Sequence, residues 1–80
     1  MDIDVARHMI RAAFRTSREL EGVLQFLKEI CPDEEYRPLA LGIAAAIDRI
    51  GIALIEPAEA AHPELRAETE ASIARYGRYL

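Results

Sequence analysis

Between Pro38 and Ile55 the chain reads Pro-Leu-Ala-Leu-Gly-Ile-Ala-Ala-Ala-Ile-Asp-Arg-Ile-Gly-Ile-Ala-Leu-Ile, and only Asp48 and Arg49 break the apolar run. A helix that is apolar on nearly every side must be buried all round or sit in a membrane. The segment before it has a different pattern. Ile3, Ala6, Ile10, Ala13, Ser17, Leu20, Leu24, Leu27 and Cys31 recur at alternating spacings of three and four. That spacing is a heptad seam on one side of a long helix. Met9, Val23 and Ile30 widen it on one flank and Phe14 on the other. The first half of the seam is small (Ala6, Ala13, Ser17), so a neighbouring helix can come close there.

These patterns predict three helices. Helix 1 covers about residues 3–30, with Asp2 and Asp4 suited to its positive N-terminus and Cys31-Pro32 ending it. Thr16-Ser17-Arg18-Glu19 resembles a capping box and Gly22 follows, which offers a break. The heptad phase is unchanged across that point, so the prediction is one continuous helix. After the turn Pro32–Tyr36, helix 2 covers about residues 36–55. One of its faces carries Tyr36, Ala40, Ile43, Ile47, Ile50 and Leu54. A second carries Leu41, Ala45, Ile52 and Ile55, and a third Gly42, Ala46 and Ala53. Glu56-Pro57 is expected to end it, leaving Ala58–His62 as a linker of about one turn. Pro63 suits a first helical position, and helix 3 covers about residues 63–79 with a thin stripe of Leu65, Thr69, Ile73, Tyr76 and Leu80.

The expected fold is therefore all-α: a single domain, residues 1–80, of three helices joined by short connections. An 80-residue chain buries little of itself. Small domains commonly add a disulfide, a metal or a second copy. Cys31 is the only cysteine, so no internal disulfide forms. The apolar run then predicts a homodimeric helical bundle assembled through helices 1 and 2. The interface residues expected are Ile10, Ala13, Leu20, Leu24, Gly42, Ile43, Ala46, Ile47, Ile50 and Leu54.

Charge narrows the partners. A formal net charge of −4 disfavours duplex nucleic acid and anionic membrane surfaces. The apolar run reaches only the lower length limit of a bilayer span. Asp48 and Arg49 near its middle are expensive in lipid, so no membrane span is expected. The acidic start Met-Asp-Ile-Asp-Val does not read as a signal peptide. With a lone cysteine, the expected location is cytoplasmic.

Candidate chemistry is sparse. Arg7, Arg11, Arg15 and Arg18 form a stripe on helix 1 away from the seam. Such a face usually just solvates, and it is expected to pair with Glu64, Glu68 and Glu70, or with Glu19 and Glu21. If the protein has a further partner, this stripe is where an acidic protein or a phosphate-bearing ligand would bind. His8-Met9-Ile10-Arg11-Ala12 resembles the His-x-x-Lys-Gly pattern of histidine phosphotransfer domains, with Arg11 and Ala12 in place of the lysine and glycine. That resemblance implies a phosphorylated His8. Glu59-Ala60-Ala61-His62 resembles half of a ferritin-like di-iron site that a homodimer would complete, although Pro63 follows at once. Metal binding through Glu59 and His62 and phosphotransfer through His8 both rank behind a non-catalytic interaction module. Cys31 closes a helix C-terminus with acidic residues following, and is expected to be structural. Asp48 and Arg49 point about 100° apart. Each either reaches an exposed edge or pairs with the other chain of a dimer. No catalytic residue and no cofactor are predicted.

Overall fold

The computed structural model describes residues 1–80. Helix accounts for 88% of the chain and no strand is present, so the fold is all-α. Helix α1 runs unbroken over Ile3–Ile30. The Asp2 carboxylate accepts from the backbone N–H groups of Asp4 and Val5, at 2.7 and 3.3 Å, which caps the helix. Cys31, in extended conformation, ends it before Pro32. No break occurs at Thr16–Gly22, because the seam needs its partner on one side throughout.

Helix α2 is longer than expected at both ends, spanning Asp33–Ala61. It starts at Asp33 because Pro32 is already extended and three acids, Asp33, Glu34 and Glu35, favour the helix N-terminus. Pro57 does not end it. The turn before the proline, Gly51–Ile55, widens to π geometry, and the Glu56 N–H donates to the Gly51 carbonyl oxygen five residues back. A proline in a regular helix clashes with the carbonyl four residues earlier and lacks its N–H. The widened turn absorbs that defect, and the chain stays helical through Glu56–Ala61. The expected linker is thus the last turn of α2. Helix α3 covers Glu64–Tyr76 and stops three residues earlier than expected. Gly77 takes φ +74°, the left-handed conformation that terminates helices, and its N–H donates to the Ile73 carbonyl oxygen at 2.8 Å.

Helices α1 and α2 form an antiparallel hairpin, and every position of the heptad seam from Ile3 to Cys31 is buried or half-buried in it. The first predicted face of α2, Tyr36 through Leu54, is likewise half-buried. Eight of the ten residues expected at a dimer interface lie on these two faces, so they pack α1 against α2 of the same chain. Ile10 and Ala13 have no exposed surface at all. Only Gly42 and Ala46 stand fully exposed on another face.

The core sits at one end. Ala6, Ile10, Ala58 and Leu65 are fully buried against one another, and Ile3, Met9, Phe14 and Tyr79 pack around them. The small residues predicted to admit a close neighbour do so. Ala6 meets Ala58 of the returning helix, and Leu65 of α3 closes the cluster. Elsewhere the molecule is one helix thick. Its extents are 45 × 25 × 14 Å, and a single helix with side chains is about 10–12 Å across. Only six of 80 residues are buried. The radius of gyration is 14.8 Å, against about 12 Å for a compact domain of this length.

Candidate functional site: an arginine-lined cavity beside an uncovered apolar flank

Two surfaces stand out, and they lie on different sides of the slab. The first follows from the way α3 is attached. Arg7 on α1 donates through Nε to Glu68 Oε2 at 3.1 Å and through Nη2 to Glu68 Oε1 at 2.9 Å. Its Nη1 donates to Asp4 Oδ1 at 3.0 Å. The Tyr79 hydroxyl donates to the same Glu68 carboxylate. Hydrogen bonds from Arg7, and then from Tyr79, hold the Glu68 carboxyl below its ordinary pKa. Burial, and then the bond to Glu68, pushes the Tyr79 phenol above its own.

These shifts set a pH window for α3 docking. A lowered carboxyl pKa stabilises above the unfolded value, near 4.3, and that contribution is lost as pH falls through the folded value. A raised phenol pKa stabilises below its unfolded value, near 10, and is lost as pH rises through the folded value. The near-ultraviolet circular dichroism of the tyrosines is expected to be flat between about pH 5 and 9 and to decay on either side. In Glu68→Gln the acid-side decay should vanish. An unchanged acid limb in that variant would show that another carboxylate governs it.

Past Gly77 the chain turns back over α1. The Ser72 hydroxyl donates to the Arg78 carbonyl oxygen at 2.8 Å and accepts from the Leu80 N–H at 2.9 Å. Arg11 Nη2 donates to the Leu80 backbone oxygen at 2.7 Å, and its guanidinium lies 4.8 Å from the Tyr79 ring centre. This fold-back makes a cavity of about 270 Å³ whose walls include Arg11, Arg15, Arg18, Arg78, Phe14 and Tyr79. The predicted arginine stripe is therefore divided. Arg7 is neutralised by Glu68, one of the glutamates expected to pair with the stripe, and leaves the patch. Arg11, Arg15 and Arg18 remain, and Arg78 joins them. Sequence reasoning missed Arg78 and Tyr79 because it carried helix 3 past Gly77. A glycine after an apolar helical position was the available signal for the turn.

The second surface is the flank of the hairpin that α3 does not touch. On α1 it carries Val23, Phe26 and Ile30, which are 44%, 57% and 62% exposed. On α2, helical spacing puts Leu39, Gly42, Ala46 and Ala53 on the matching side, all exposed. The opposite flank holds an apolar groove of about 440 Å³ whose walls include Leu24, Tyr36, Ala40, Leu41 and Ala44.

The other predicted sites are not assembled in the protomer. His62 Nε2 faces the Met1 carbonyl oxygen at 2.7 Å, so that nitrogen carries a proton, and Nδ1 lies 3.3 Å from Glu64 Oε1. Glu59 is half-buried one turn earlier, and no group of three or more potential ligand side chains gathers anywhere. His8 is exposed on α1, and Cys31 is half-buried. Asp48 and Arg49 are both exposed and make no ion pair within the chain. In the protomer they reach an open edge. Helix α2 is long and apolar enough to cross a membrane, and none of its apolar window is buried inside the chain. Compared with protein-family models, with curated proteins and with solved structures, the chain matches none.

Proposed function

We propose that this protein is a non-catalytic helical interaction module that works as a homodimer, with the Phe26–Ala46 flank of one copy stacked on that of the other. The observation that carries the reading is the uncovered flank. Domains are built from at least two packed layers of secondary structure, and away from the α3 end this chain supplies one. The accessible surface is 5629 Å². A compact monomer of 9.0 kDa exposes about 4,850 Å². The excess, about 800 Å², is what one partner contributes to a standard interface. Gly42 and Ala46, four residues apart, lower the flank so that a second helix can approach closely. An added Cβ at Gly42 meets nothing within 4 Å in the lone chain.

Light scattering at micromolar concentration tests this reading. The expected mass is twice 9.0 kDa. A stable monomer at that concentration overturns it. So does a chain that stays in solution only with detergent and floats with lipid vesicles. That result would assign the flank to a bilayer.

A further inference from the structure

We propose that the cavity between α1 and the folded-back tail binds a small phosphate monoester. Arg15, Arg18 and Arg78 hold the phosphoryl group, and Phe14 and Tyr79 meet the organic part. The site goes beyond dimerisation and does not rest on it, since it lies on the α3 side of α1, away from the uncovered flank.

Charge is the first argument. The protein carries a net −4 with 14 acidic side chains. Even so, four arginines converge on one cavity. Arg11 already donates to the Leu80 oxygen, but no side-chain carboxylate lies within ion-pair distance of Arg15, Arg18 or Arg78, whereas Arg7 and Arg66 elsewhere both have one. Glu68 on α3 is already occupied by Arg7 and Tyr79. Like charges gathered this way repel, and an anion relieves the repulsion.

Geometry is the second argument. Arg11 is held by the Leu80 backbone oxygen and by the Tyr79 ring, so it forms the fixed back wall. Arg15 and Arg18 lie one and two turns on and remain exposed, and Arg78 comes from the opposite side of the cavity. Guanidinium forks from two sides match the several oxygens and the roughly −1.5 to −2 charge of a phosphate monoester. A carboxylate offers two oxygens and one charge.

Size and lining are the third argument. At about 270 Å³ the cavity lies just below the usual range of small-molecule sites, roughly 300 Å³ and upward. That suits a small ligand. Phe14 and Tyr79 give the organic part an aromatic wall, which free inorganic phosphate would not use.

The test is titration calorimetry on the full-length protein with two probes, adenosine 5′-monophosphate and inorganic phosphate, at low and high salt. The expected result is saturable binding of both, tighter for the monophosphate and weakened by salt, because the arginines are partly exposed. Arg15→Gln combined with Arg78→Gln should weaken binding at least tenfold. Arg66→Gln, outside the cavity, should leave it unchanged. Circular dichroism and mass are expected to match wild type for both variants. If the double variant misfolds, Arg18→Gln alone is read instead, with the same tenfold expectation. Equal affinity for the two probes would remove the organic part from the proposal and leave a phosphate site. No binding of either probe at millimolar concentration overturns it, as does binding that survives the double substitution. Binding of poly-glutamate without either phosphate probe also overturns it, and would assign the arginines to an acidic protein.

Discussion

Replacing Phe26 by glutamate is expected to convert the proposed dimer to a monomer at micromolar concentration. Phe26 is 57% exposed in the protomer and touches none of the buried core. In a lone chain such a surface change would alter stability by at most about 0.5 kcal/mol. In the proposed stacked dimer it places a carboxylate inside the apolar contact of each copy. Aromatic side chains at interface centres commonly contribute 2 kcal/mol or more each. The two symmetric copies should therefore raise the dissociation constant by at least about 100-fold. Ala46→Leu tests the same flank by volume. It has open space in the protomer, where Ala46 is exposed, but overpacks a close helix crossing by about 1–3 kcal/mol. Leu41→Glu is the control, because Leu41 lies on the opposite flank. Analytical ultracentrifugation separates the outcomes. A mass that responds to Leu41→Glu and not to Phe26→Glu would move the interface to the groove side.

Leu65→Ala is expected to cost about 2–5 kcal/mol, the usual range for a fully buried leucine. Leu65 has no exposed surface and is the only large side chain that α3 contributes to the buried cluster. Beyond Leu65 and the buried Thr69, α3 and the tail after it are joined to α1 chiefly by Arg7 with Glu68 and Arg11 with Tyr79. Such partly exposed pairs give little stability on their own. With so few buried residues, the lost packing has no other cluster to fall back on. In urea the midpoint should drop while α1 and α2 keep most of their helical signal. The Tyr79 environment and the arginine cavity should be lost together, since both depend on α3 docking. An unchanged midpoint would show that the polar clasp, and not Leu65, anchors the helix.

Much of this protein was legible in its sequence. Local patterns determine helix type and facing, because burial of one stripe needs only the helical repeat. That is why every residue of the seam Ile3–Cys31 and of the face Tyr36–Leu54 is buried or half-buried. The helix boundaries were less secure. Pro57 reads as a stop in any one-dimensional account. The chain instead spends one wide turn to keep Ala58 helical, because Ala58 must reach Ala6 and Leu65. Tertiary packing outbid local propensity there.

The same division applies to the surfaces. The sequence by itself determined that α2 has more apolar faces than a single neighbour can cover. Only the tertiary structure decided which faces the chain covers itself, and so which are left over. It turned the seam inward and left the Val23–Ile30 and Leu39–Ala53 flank open. It also decided the membership of the arginine cluster. Arg7 and Arg78 are 71 positions apart, and no periodicity relates them. The fold pairs Arg7 with Glu68 and brings Arg78 over α1 through the turn at Gly77. Helical repeats encode neighbours three and four residues away. Contacts between distant segments depend on where turns aim the chain, and that is settled only when the helices pack.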